Sequence, residues 1–126
     1  MRRLFLAIGL TVLAALPGRA ETVDLQLVLA ADVSRSVDDN EFRLQREGYA
    51  AALTDPRVLR AIQSGQIGRI AVCYFEWSGE SFQQMIVDWM VIGDEETAGL
   101  FADRLVKAPR PFANRTSICV AIDYAV

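Results

Sequence analysis

Histidine is absent from all 126 residues. That removes the usual zinc sites and the Ser-His-Asp and Cys-His catalytic arrangements from this stretch. There are two cysteines, Cys73 and Cys119, far fewer than a disulfide-built scaffold uses. No glycine-rich phosphate loop, internal repeat or low-complexity run occurs. The longest apolar stretch, Leu4 to Leu16, is too short to span a bilayer comfortably.

That stretch has a different use. Arg2 and Arg3 precede it, and Gly18-Arg19-Ala20 follows with small residues where a signal peptidase reads. Residues 1–20 are therefore expected to be a signal peptide for export, giving a periplasmic or secreted chain from Glu21. No cysteine sits near the cut to carry a lipid anchor. Removing the leader leaves 10 basic against 16 acidic residues, a net −6, which argues against nucleic acid or an anionic membrane surface as partner.

The chain beyond the leader is organised around Leu25 to Ser36, L-Q-L-V-L-A-A-D-V-S-R-S. The apolar run predicts a strand buried on both faces of a parallel sheet. Asp38, with Glu41 three residues on, predicts a capped helix whose inner face carries Phe42, Arg46, Tyr49 and Leu53. Asp55-Pro56 breaks that helix, and Val58, Leu59 and Ile62 predict a short second one. A strand follows over Arg69–Glu76, then a turn at Trp77 to Glu80. A third strand over Phe82–Ile92 alternates Met85, Val87, Trp89 and Val91 with Gln84 and Asp88, making an antiparallel hairpin. Trp77 and Trp89 read as hairpin packing. Asp94 predicts a third helix with Ala98, Phe101, Ala102 and Leu105 inside. Thr116 stands before the opening of a fourth.

Asp32, Ser34 and Ser36 thus fall on the loop at the carboxyl end of a strand, where open α/β sheets bind ligands. One carboxylate and two hydroxyls at alternate positions are an oxygen-only set of the kind that suits Mg²⁺. The competing reading is purely structural: Ser36 and Asp38 cap the helix while Asp32 ends the strand.

This order of elements, with D-x-S-x-S at Asp32 to Ser36 and T-x-x-x-x-A at Thr116 to Ala121, resembles the von Willebrand factor A-type domain. Q-R-E-G-Y-A-A-A-L at Gln45 to Leu53, G-R-I-A-V at Gly68 to Val72, Glu76-Trp77 and Arg115-Thr116-Ser117-Ile118 resemble, more closely, the exported bacterial family Domain of Unknown Function 1194 within that superfamily. The resemblance implies an α/β fold, a doubly wound, mainly parallel sheet with one antiparallel edge strand. Residues 21–126 would be its N-terminal part. It also implies a metal-ion-dependent adhesion site holding Mg²⁺ or Mn²⁺ through Asp32, Ser34, Ser36 and Thr116. The partner would be a protein or other carboxylate-bearing ligand. Two features depart from the pattern: the third-loop Asp lies beyond the last residue, and Cys119 stands where the family has a small glycine. The expected function is binding rather than catalysis. The alternatives are a metal-dependent enzyme acting on phosphate esters, or a structural domain with a non-functional site. Against aspartyl-phosphate chemistry, Ser34 occupies the place two residues on where a second carboxylate would stand. The two cysteines are expected to be unpaired, Cys73 within the sheet and Cys119 crowding a glycine-sized place.

Overall fold

The computed structural model describes residues 21–79, 82–110 and 117–126. The expected signal peptide and Thr116 lie outside the described residues. The chain runs β1 (Leu25–Asp32), α1 (Asp39–Thr54), α2 (Pro56–Gln63), β2 (Ile70–Ser78), β3 (Phe82–Ile92), α3 (Glu95–Lys107) and α4 (Ile118–Ala125). The described residues form a small α/β fold with a three-stranded mixed sheet, order β1-β2-β3. β1 and β2 are parallel, joined through α1 and α2, and the β2–β3 hairpin is antiparallel.

α1 begins where its capping chemistry says it should. The Asp38 carboxylate accepts from the amides of Asn40 and Glu41, each at 2.8 Å, and the Glu41 carboxylate accepts from the Asp38 amide at 3.0 Å. This reciprocal pairing satisfies donors that the first helical turn leaves open. Phe42, Arg46, Ala50 and Leu53 form the buried face of α1, with the partly buried Tyr49 packed edge-on against Tyr74. α2 and α3 add Leu59, Ile62, Ala98, Phe101 and Leu105 to the same layer, over Ile70, Val72 and Tyr74 of β2. The opposite face is covered by α4, where Ala121 meets Phe75 and Trp77 and the Phe75 and Tyr124 rings lie 4.9 Å apart.

Burial singles out the middle strand. Every residue of β2 except Ala71 is buried. β1 is not buried on both faces as its composition suggested: it lies at the sheet edge among the described residues, and Leu25, Gln26 and Ala30 are exposed. An apolar run states affinity for a core but not which strand wins the centre.

The hairpin departs from strict alternation. β2 continues through Trp77 and Ser78, so the expected turn starts later. The β2–β3 register shifts twice, between Val72 and Tyr74 and between Tyr74 and Phe75. Each extra residue reverses the facing of the residues after it. Val87 therefore joins Ile92 in the main core, and Met85 and Trp89 lie on the α4 side, exposed. There they line a cavity of about 200 Å³ with Val28, Cys73, Phe75 and Tyr124. Trp89 is thus not packed inside the hairpin, whereas Trp77 is buried. Both cysteines are free: Cys73 is buried, its thiol pushed up by burial and by the nearby Asp88 charge. Cys119 is exposed, and the Thr116 loop it was expected to crowd lies outside the described residues.

Before β1, the Asp24 carboxylate is cradled by the loop that precedes β2. It accepts from the amides of Ile67 (2.9 Å), Gly68 (2.7 Å) and Arg69 (3.3 Å), which hold it below the usual carboxylate range. Gly68 has φ +80°, a conformation glycine adopts without penalty. At Gly65 an added Cβ would lie 2.4 Å from Asp24 Oδ2. The loop closes around the carboxylate because there is no side chain in the way.

Candidate functional site

The carboxyl end of β1 delivers Asp32 beside Trp77 of β2, and the next backbone bond, Val33 N–H to the Trp77 carbonyl at 3.0 Å, holds the loop's first residue to the sheet. The loop then turns back on itself. Asp32 Oδ1 accepts from the Ser34 amide at 2.7 Å, and the Val37 amide donates to the Ser34 carbonyl at 2.9 Å. Those two bonds bring alternate side chains to one side: Ser34 Oγ and Ser36 Oγ stand 3.3 Å apart.

The structural alternative for this loop is only half realised. Asp32 does end β1, but the α1 cap is made by Asp38 with Glu41 alone, and Ser36 faces Ser34 instead. Ser34 is buried, and its hydroxyl has the Ser36 hydroxyl as its partner among the described residues. A spacing of 3.3 Å is long for a bond between hydroxyls, usually 2.5–3.0 Å. It is close to the separation of neighbouring ligand oxygens around an octahedral Mg²⁺ with 2.0–2.1 Å bonds, about 3 Å. The spacing of the two hydroxyls is therefore compatible with neighbouring positions on such an ion. No group of three or more His, Cys, Asp or Glu side chains that could hold a metal occurs among the described residues, so any such site rests on hydroxyls and one acid. Thr116, the fourth expected ligand, lies outside the described residues.

Beneath this loop is a charge pair that the sequence reading missed. Arg46, on the inner face of α1, donates from Nε to Glu76 Oε1 at 2.7 Å and from Nη2 to Oε2 at 3.0 Å. The two side chains are 4% and 0% exposed, so the pair is fully desolvated. The fork-to-carboxylate geometry is the strongest form of such a pair. Arg46 also donates to the carbonyls of Ala108 and, at 3.2 Å, Pro109, on the link that leaves α3. The Tyr74 hydroxyl donates to Glu76 Oε1 at 3.4 Å; burial, and then the Glu76 charge, push that phenol far above its usual range, so it remains a neutral donor.

A signal for this pair exists in the sequence. Arg46 stands on an otherwise apolar helical stripe, and Glu76 follows six largely apolar residues of a strand. One charge of each sign on two buried faces implies that they meet. Gln45, next to Arg46, gives a weaker link to the loop: its Nε2 donates to the Asp32 carbonyl at 3.4 Å, and its Oε1 is buried with no hydrogen-bond partner among the described residues.

No helix among the described residues is long and apolar enough to cross a membrane. No curated protein matches the chain. The family model described as "Protein of unknown function (DUF1194)" matches residues 22–126, which takes in every element from β1 to α4, and the chain belongs to that family.

Proposed function

We propose that the chain is an exported binding module with a doubly wound fold of the von Willebrand factor A type, which holds a partner through Mg²⁺ or Mn²⁺. The observation that carries this reading is the 3.3 Å approach of the Ser34 and Ser36 hydroxyls in the turn where Asp32 Oδ1 accepts from the Ser34 amide, at the carboxyl end of β1. Asp32, Ser34 and Ser36 would hold the ion, with Thr116 as the expected fourth ligand. The bound ion would supply a coordination position that a carboxylate of the partner can take. Helices on both faces of the sheet support the doubly wound assignment.

The charge arithmetic fits the chemistry. One carboxylate and neutral hydroxyls leave a divalent ion with net positive charge, which favours an acidic ligand. The exported chain as a whole, with 16 acids against 10 bases, would otherwise repel such a ligand. Catalysis is the weaker reading, since the set contains no histidine and a single acid.

Thermal melts with Mg²⁺ and with chelator test this. A ligand at a hundredfold excess over its Kd stabilises the native state by about 2.7 kcal/mol. At about 4–8 °C per kcal/mol for a domain of this size, the melt should rise by roughly 10 °C or more. Asp32→Ala should abolish the rise and leave the chelator melt near that of the parent. Identical melts of the parent in Mg²⁺ and in chelator would refute the metal reading.

A further inference from the structure

α1 and the segment that leads into it are tied to the link after α3 from both sides. From α1, Arg46 reaches the Ala108 and Pro109 carbonyls. From the link, Arg110 reaches back: its Nη2 donates to the Val37 carbonyl at 2.8 Å, and its Nη1 pairs with the Asp39 carboxylate. Both guanidiniums lie against the Phe42 ring, with Cζ 4.4 Å (Arg46) and 4.7 Å (Arg110) from its centroid. Val37 directly follows Ser36, and its amide closes the turn onto the Ser34 carbonyl. The Arg110 fork therefore grips the peptide unit at the exit of the turn that carries both hydroxyls.

We propose that Arg110 is a positioning residue for the oxygen set of Asp32, Ser34 and Ser36, fixing the loop's exit so that the two hydroxyls stay adjacent. Its value to a metal rests on the function proposed above; its hold on the loop does not. Arg35 and Ser36 are exposed and no strand or helix contains them, so the turn rests on the bond from the Val37 amide to the Ser34 carbonyl and on what holds Val37 itself. An arginine suits the task because its planar fork can serve the Val37 carbonyl and the Asp39 carboxylate together while stacking on Phe42, which a lysine cannot do. The Asp39 side chain is 95% exposed, so the ion pair adds little to overall stability and its effect falls on the loop. A loop held in its binding conformation gains affinity because less order has to be imposed when the ion arrives.

The test compares the parent chain with Arg110→Gln and Arg110→Lys. Melts in chelator read overall stability, Mg²⁺ titration calorimetry reads affinity, and amide hydrogen exchange in chelator reads the Ser34 and Val37 N–H groups. Arg110→Gln should keep the chelator melt within about 2 °C, weaken Mg²⁺ about tenfold, and speed exchange at both amides several-fold; Arg110→Lys should fall between. Unchanged affinity in Arg110→Gln, with the parent binding Mg²⁺, would overturn the proposal. So would a chelator melt lowered enough to account for the affinity loss. If the parent binds no Mg²⁺, the metal reading fails by itself and the amides decide: faster exchange upholds the positioning role, and unchanged exchange removes it.

Discussion

Replacing Arg46 by leucine would leave the Glu76 carboxylate, 0% exposed, with the Tyr74 hydroxyl at 3.4 Å as its remaining side-chain partner among the described residues. Removing one member of a buried pair costs about 3–5 kcal/mol, because the other charge stays desolvated and uncompensated. The reverse change, Glu76→Leu, should cost less, about 2–3 kcal/mol. Arg46 would still donate to the Ala108 and Pro109 carbonyls, and hydrogen bonds from a charged group are worth about 1.5–3 kcal/mol. The double variant removes both charges and should lie within about 2 kcal/mol of the parent, since well-packed apolar replacements of buried pairs are often neutral. Urea melts of the four proteins, with a common slope, close the cycle. The Arg46→Leu deficit corresponds to a thermal shift of at least about 12 °C. Two single variants each within 1 kcal/mol of the parent, adding without coupling, would show that the pair is not the desolvated unit described here.

Other contacts give three more expected outcomes. Asp24 is held below the usual carboxylate range by the loop amides, the Ile67 amide foremost. Its stabilisation is complete above the unfolded value near 3.8 and disappears as the pH falls through the lower native one. Asp24→Asn should therefore lower stability at neutral pH and flatten the acid limb of an unfolding-versus-pH curve; an unchanged limb would contradict this. Gly65→Ala should destabilise the parent by pushing Asp24 out of its cradle, yet be nearly neutral in an Asp24→Ala background, as urea midpoints would read. Asp38→Ala, which removes the capping box of α1, should cost about 1 kcal/mol in the same assay, and no measurable change would mean the helix start is held from elsewhere.

Local chemistry made much of this fold legible. Asp38 with Glu41 and Asp94 mark helix starts, and Asp55-Pro56 marks the break after α1, because caps and breaks are decided within four residues; that Asp55 also caps α2 is an addition of the structure. The D-x-S-x-S loop was likewise legible as the turn that leaves β1: Asp32 Oδ1 accepts from the Ser34 amide, and the Ser34 and Ser36 hydroxyls stand 3.3 Å apart. The features that the sequence concealed were decided across distance. β1 and β2 are similarly apolar, yet among the described residues β2 is the enclosed strand and β1 the edge, because centrality depends on which strands pair on either side. The two register shifts in β3 reverse the facing of Val87, and nothing in the strand's own composition announces them. Arg46 was placed on the correct helical face, but its partner lies 30 residues away on another element. Likewise, the link from Arg110 back to Val37 spans 73 residues.

The cradle around Asp24 bears on the far end of the same strand. Asp24 stands immediately before β1, and its carboxylate grips the residues immediately before β2. It acts as an index pin for two parallel strands that would otherwise find similar apolar neighbours at several offsets. Sliding β1 by one residue would carry Asp32 about 3.3 Å along its neighbour and turn its side chain to the other face of the sheet. The position at which Asp32 presents its carboxylate is thus set from about 26 Å away, eight residues upstream at about 3.3 Å each. A change at Asp24 or Gly65 should therefore be felt at the oxygen loop without touching any atom there.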